Sequence, residues 1–359
     1  MVILAILIAL FFALNIGASG AAASMGIAYG TGVVKKGMAL FLCAIAVFLG
    51  AYLGGGEVVK TLGSGIVPGN TFTVSVTILV LLSAALSLFL ANILGIPLST
   101  SEVVVGAIVG VGIVYQSLFM DKLVWILLFW VLTPIVAFIM AVIASMFLKF
   151  KGMKSWLKKP SISRTLPTIV IVMGMFEAFS AGMNNVANAV GPLVGAEILS
   201  TQSGILWGGL FVAIGALVLG KRVLETNGKK ITNIRLEDGC IISGTGASIV
   251  ITASLFGIPV PLTQITTSSI IGIGFVKDGV AVLKKKIVVQ LLIVWVVSPI
   301  ISMVLSYSLV QWIIEKNFYP MLILSFVFFV IIGTVFSIRR KNVQIPAQTR
   351  KETSLTEKS

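Results

Sequence analysis

The chain has no histidine, only two cysteines and little charge: 11% of its 359 residues are Asp, Glu, Lys or Arg. Without histidine there is no imidazole proton shuttle and no histidine metal centre. Cys43 and Cys240 sit in apolar surroundings, so they read as free packing thiols and imply no disulfide framework. A P-loop is missing, which excludes a nucleotide motor within the chain. No nucleophile–base constellation is present, so an enzyme is not the reading and no cofactor is implied. What is abundant is apolar: 58% of residues are hydrophobic and the mean hydropathy is +1.11. Runs of roughly 18 or more apolar residues recur along the length, enough to span about 30 Å of hydrocarbon. The partner is therefore a lipid bilayer, and the chain reads as a multi-pass protein of the cell membrane. A formal charge of +14 does not signal nucleic acid here, because the basic residues sit in short loops between apolar runs.

The sequence is also duplicated. Gly17, Ala22 and Gly26 recur as Gly182, Ala187 and Gly191, and Trp130 and Pro134 as Trp295 and Pro299, always 165 residues later. A second polar stretch, GIPLSTSE from Gly95, recurs as GIPVPLTQ from Gly257, 162 residues later. Matched polar interruptions in a duplicated hydrophobic chain are the pattern of secondary transporters. The expected fold is an all-α polytopic membrane protein of about 11 spans in two inverted repeats, with broken helices or hairpins. Residues 1–150 form the first repeat, 151–165 a basic cytoplasmic loop and 166–316 the second repeat. A further span covers 317–338 and a disordered cytoplasmic tail 339–359. The apolar opening lacks a basic region before it and recurs internally, so it reads as the first span, not as a cleaved signal.

Charge sets the orientation. If the broken segments near 96–118 and 258–276 each cross the bilayer, every Lys and Arg except Lys60, Lys122 and Lys316 falls on one side. An odd number of crossings per repeat makes the halves inverted copies, with the N-terminus outside and the C-terminus in the cytoplasm. A hairpin in place of each crossing stays open. All basic residues are then used in loops, and of the acids only Glu102 and Glu177 lie within spans.

Three features carry chemistry. In the duplicated pair Asn15–Gly26 and Ser180–Gly191, small residues allow a helix to break and backbone to approach a ligand. Ser19 and Asn184 stand at matching positions, while Asn185 and Asn188 replace Gly20 and Ala23. In the second stretch, Pro97 precedes Ser99, Thr100, Ser101 and Glu102, matched by Pro259, Pro261, Thr263 and Gln264. Hydroxyls and unpaired N–H groups at a helix N-terminus make an anion site. The bland alternatives are helix packing, kinks and caps. Lastly, Glu102 and Glu177 are intramembrane carboxylates, and Glu177 shares a helical face with Asn184 and Asn188.

These residues resemble the inorganic phosphate transporter family, whose repeats carry a GANDVANA-type and a PVSTTH-type motif. Here the motifs stand as Gly17–Ser24, Gly182–Ala189, Pro97–Glu102 and Pro259–Gln264. Within the family, the opening NIGASGAAAS looks most like that of a sulfate permease. The family's motif Asp falls at Gly20 and Asn185, so its phosphate and sodium contacts do not carry over intact. A carboxylate can accept a proton from phosphate but only repels sulfate, at about 4 kcal/mol per unit charge for 4 Å and a dielectric near 20. The resemblance with this departure implies sulfate, or a related oxyanion such as thiosulfate, as substrate. It would be bound by Asn15, Ser19, Gly20, Ser99, Thr100, Ser101, Asn184, Asn185, Asn188, Thr263 and Gln264. Protons are the preferred coupling ion, carried by Glu102 and Glu177, with sodium less favoured and no metal site. Phosphate symport, a passive anion channel and a subunit of an ATP-driven complex are the alternatives, and a homodimer is one assembly open to the chain.

Overall fold

In the computed structural model, residues 1–94, 98–230, 235–284 and 286–322 are described. Gly95 and Pro97 of the hydroxyl motif lie outside them, as do most of the expected extra span and the whole expected tail. The described residues form two compact units, divided after Ser306. In the first repeat, α1 is Val2–Ile16, α2 is Lys36–Gly54, α3 is Val74–Leu94, α4 is Thr100–Val114 and α5 is Met120–Lys149. In the second, α6 is Pro160–Gly195, α7 is Thr201–Leu219, α8 is Leu236–Leu255, α9 is Leu262–Asp278 and α10 is Lys286–Ile313. Among the described residues eight helices are long and apolar enough to cross a membrane, and the described parts of α3 and α4 give two shorter apolar ones. With no water in hydrocarbon to pair the backbone, these apolar runs must be helical. The second unit holds the end of α10, where the Trp312 and Phe318 rings meet edge to face at 5.8 Å.

Equivalent glycines make equivalent contacts across the two repeats. A Cβ on Gly17 would lie 1.9 Å from Val212 O, and one on Gly182 would lie 2.0 Å from Val47 O. Likewise a Cβ on Gly50 would lie 1.9 Å from Phe179 O, and one on Gly215 would lie 2.1 Å from Leu14 O. So α1 packs on α7 as α6 packs on α2, with backbones too close for any side chain. This is the contact pattern of a pseudo-two-fold axis relating the halves.

Of the two arrangements left open for the broken segments, crossing or hairpin, the helix pairing has the form of the hairpin. Helices α3 and α4 are the arms of one hairpin, and α8 and α9 of another. At the foot of the first, Phe119 N donates to Ile66 O at 2.9 Å. At the foot of the second, Lys277 Nζ lies 2.7 Å from Asp238 Oδ2. On α6, the second foot sits near Val170, beside Gly239, and the first near Gly195, beside Gly69. Both tips touch Asn184 between them. At 1.5 Å per residue the tip contact lies about 21 Å from one level and about 16 Å from the other. The hairpins therefore enter from opposite ends and meet part-way. Each hairpin takes in the preceding apolar run as well as the broken segment, so the number of crossings per repeat stays odd and the charge count is the same for both arrangements.

Two expectations need correction. The break in the second small-residue motif is absent: α6 runs unbroken through Gly182 and Gly191, which serve close packing. The first copy does break, into a π-helical turn at Gly17–Ala21 and a short helix at Gly26–Gly30. The basic stretch 151–165 is not a plain loop, since Lys151–Leu157 is helical and α6 begins at Pro160.

Candidate functional site

Three asparagines on α6 face the first hairpin tip. Asn184 and Asn188 are four residues apart and thus one turn apart on the same face, with Asn185 beside them. Asn184 Nδ2 donates to Ser101 Oγ at 3.0 Å, to Asn185 Oδ1 at 3.1 Å and to Val260 O at 2.8 Å. Its Oδ1 accepts from Val260 N at 3.1 Å. One side-chain amide thus satisfies both backbone groups of a residue in the second tip, which otherwise could not stay unpaired so deep. Asn188 Nδ2 reaches Thr100 Oγ1 at 3.1 Å and Ser101 Oγ at 3.2 Å. Thr100 Oγ1 donates to Asn185 Oδ1 at 3.3 Å.

This network has more acceptors than hydrogens. An amide nitrogen carries two, yet Asn184 Nδ2 and Asn188 Nδ2 each have three acceptors within reach. Asn188 Oδ1, in contrast, is buried with no partner among the described residues. Asn185 Nδ2 lies 3.4 Å from where a Gly20 Cβ would stand, so Gly20 leaves its amide uncovered. Helix α4 starts here at Thr100, after Ser99, whose side chain makes no capping bond. Its first-turn N–H groups and positive dipole end point into the cluster. Among the described residues, no Lys, Arg, Asp or Glu side chain joins the hydrogen bonds of Asn184, Asn185 or Asn188.

Glu102 turns the other way. It accepts from Gln264 Nε2 of α9 and from Ser298 Oγ of α10. Glu102 and Gln264 are repeat equivalents, so they meet each other across the pseudo-two-fold axis, as Gly20 and Asn185 do. Both also line a cavity of about 720 Å³, walled by the equivalent pairs Trp130 and Trp295, and Pro134 and Pro299. Trp130 Nε1 donates to Pro259 O at 2.9 Å, tying α5 to the second tip.

The structure thus brings Gly20, Thr100, Ser101, Asn184, Asn185 and Asn188 together, with Ser99 buried at the start of α4. Glu102 and Gln264 form an adjoining pair. Asn15 and Ser19 are not brought in. Asn15 Nδ2 donates back to Phe11 O at 2.8 Å, and Ser19 Oγ to Asn15 O at 2.9 Å. Thr263, half-buried, makes none of these contacts. Glu177 shares the face of the asparagines but lies at another depth, where Thr266 Oγ1 donates to its Oε1 at 2.9 Å and Gly246 leaves it room.

Sequence reasoning missed four contributors. Val260 acts through its backbone, which no residue type advertises. Ser298 stands beside a repeated proline, and Trp130 is itself repeated; both were available signals. The statement that only Glu102 and Glu177 are internal acids is corrected by Asp238, which is fully buried. It is paired with Lys277 and with Arg235, whose Nη2 is 3.1 Å from Oδ1.

Residues 16–306 match the model of the phosphate transporter family. Sulfate permease CysP of Bacillus subtilis is 55% identical over 321 residues, 89% of this chain and 90% of that protein. A Pyrococcus horikoshii protein named as a phosphate permease is 28% identical across 83% of this chain and 94% of its own length. The solved structure called the sodium-dependent phosphate transporter superposes with a TM-score of 0.73 at 22% identity. That match covers 88% of this chain and 99% of the other, and is a likeness of fold.

Proposed function

The chain belongs to the phosphate transporter family, and from that membership we propose that it imports inorganic sulfate by alternating access, driven by protons. Thiosulfate falls within the same chemistry. The observation that carries this reading is the asparagine–hydroxyl cluster with glycine and amide at Gly20 and Asn185, where a carboxylate would repel a fully ionised dianion. The likeness over nearly the whole chain to a protein named a sulfate permease supports it.

In this reading Asn184, Asn185, Asn188, Thr100, Ser101 and the N–H groups opening α4 hold the anion. Neutral donors and a helix dipole suffice when they are preorganised in a dry site. The two hairpins then expose the cluster to one side at a time, as inverted repeats do. With the N-terminus outside, the excess of Lys and Arg lies in the cytoplasm. Moving a dianion inward against about 100 mV costs roughly 4.6 kcal/mol, which two co-transported protons cancel electrically. Glu102 and Glu177 are the carriers, since no described cluster offers sodium a carboxylate among the asparagines.

The test is labelled sulfate uptake by the purified chain in liposomes, under imposed pH or sodium gradients. Sulfate is expected to accumulate above equilibrium with an inward proton gradient, and phosphate to compete poorly. Gly20→Asp with Asn185→Asp should cut sulfate uptake about a hundredfold or more and relieve the discrimination against phosphate. Phosphate outcompeting sulfate in the unaltered protein overturns the substrate. Pure sodium dependence overturns the coupling, and equilibration without accumulation makes the chain a channel.

A further inference from the structure

We propose, on the reading of Glu102 as a proton carrier, that Ser298, Ser302 and Ser306 of α10 line a file of water-bridged hydroxyls. The file carries protons between Glu102 and the face of the protein at the foot of the first hairpin. Ser298 Oγ donates to Glu102 Oε2. All three serines are 0% exposed, and four-residue spacing puts them on one face of α10.

Ser302 Oγ and Ser306 Oγ have no hydrogen-bond partner among the described residues. Ser83, Thr133 and Ser269 each bond back to the carbonyl four residues earlier; Ser24, Ser87 and Ser254 are also unpaired among the described residues, but none of these is spaced one turn from a serine bonded to Glu102. A buried hydroxyl that neither bonds its own helix nor meets another side chain is a place for water.

Spacing decides how such a file works. Four residues of helix rise about 6 Å, which is about twice the 2.7–2.8 Å of an O–H···O bond. Neighbouring hydroxyls are thus too far apart for direct transfer and well placed for one water between each pair. From Ser298 to Ser306 the helix advances about 12 Å, most of the roughly 15 Å half-thickness of a hydrocarbon core.

The direction follows from α4. Glu102 meets Ser298, and one turn on, a Gly106 Cβ would lie 2.3 Å from Pro299 O. The two helices therefore run the same way, toward the foot where Phe119 meets Ile66. A proton entering beyond Ser306 is accepted by water, each hydroxyl takes one proton and yields its own to the next, and the Glu102 carboxylate takes the last. Release reverses the sequence, with no net change in the serines. The groups found against Glu102 are Gln264 of α9 and Ser298 of α10, with Trp130 of α5 and Trp295 of α10 across the cavity. None of them titrates, so the file ends at Glu102.

The test compares pH-gradient-driven sulfate uptake with sulfate–sulfate exchange in liposomes for Ser302→Val, Ser302→Thr and the Ser302→Val/Ser306→Val pair. Both valine variants should lose gradient-driven uptake about tenfold or more beyond any loss of exchange, and Ser302→Thr, which keeps the hydroxyl, should restore it. Undiminished gradient-driven uptake in the double variant overturns the file while leaving proton coupling intact. Indifference of the unaltered protein to pH fells the proton reading first and the file with it. Equal loss of uptake and exchange in every variant, threonine included, assigns the serines to packing and also overturns it.

Discussion

The tip of the first hairpin carries Ser99, Thr100, Ser101 and Glu102, whereas the second carries Pro259, Val260, Pro261 and Leu262 before Gln264. The helices that receive these tips differ in the opposite sense. In α6 the repeated motif holds Asn184, Asn185 and Asn188, while the stretch after α1 holds Ser19, Gly20 and Ala23. Polar groups are thus concentrated where one repeat's helix meets the other repeat's hairpin. The glycine contacts of Gly17 with Gly182 and Gly50 with Gly215 remain matched. The frame is symmetric, and the hydrogen-bonded polar groups lie on one diagonal of it. The second tip is held by its backbone, through Asn184 and Trp130, and contributes Gln264 as its polar side chain to the first.

That asymmetry is most easily broken at Asn184. Its repeat equivalent, Ser19, bonds only its own helix, so Asn184→Ala and Ser19→Ala are substitutions at one place in the frame with opposite expectations. Asn184→Ala leaves the N–H and C=O of Val260 without their partner and takes from the Ser101 hydroxyl one of its two amide donors, at about 1–3 kcal/mol for each buried group left unpaired. Sulfate uptake should fall below detection and the melting temperature should drop. A variant that transports normally would show that the tip contact does not build the site.

Much of this was legible beforehand, for identifiable reasons. The repeat shifts exposed the inverted halves, and Asn184, Asn185, Asn188, Thr100 and Ser101 announced themselves as polar groups in apolar runs. What sequence could not convey was partnership at a distance. Glu177 lies on the face of Asn184 by helical periodicity, yet about 10 Å of rise separates them, so it meets Thr266 instead of the first tip. Glycines in a helix signal a break and a close approach alike; only the backbone of α2 against Gly182 decides for the second. Asp238 is an ordinary helix-start acid by position, and its burial depends on Lys277 arriving from the far end of the same hairpin.

The symmetric part of the comparison is sharpened by the glycines themselves. Gly17→Ala and Gly182→Ala each push a methyl into a backbone carbonyl that cannot rotate away. Each should cost about 1–3 kcal/mol, the range for overpacking a tight contact. The two values should agree within about 1 kcal/mol by thermal or denaturant unfolding in detergent. A large destabilisation at one site and none at the other would mean the equivalent contacts are not energetically equivalent.

The smallest expected effects come from the quiet diagonal. Ser19→Ala removes a hydroxyl that returns to Asn15 O on its own helix, a bond worth a few tenths of a kcal/mol to about 1 kcal/mol net. Thr263→Ala removes one that joins no contact of the cluster. Both should transport sulfate within about twofold of the unaltered protein, because neither leaves a buried partner unpaired. Thr100→Ala, on the polar diagonal, takes away an acceptor of Asn188 and a donor to Asn185 at once. Its affinity for sulfate should weaken by about tenfold, the equivalent of about 1.4 kcal/mol. If Ser19→Ala or Thr263→Ala proves as damaging as Thr100→Ala in the same uptake measurement, the anion is held by both diagonals and the specialisation of one is wrong.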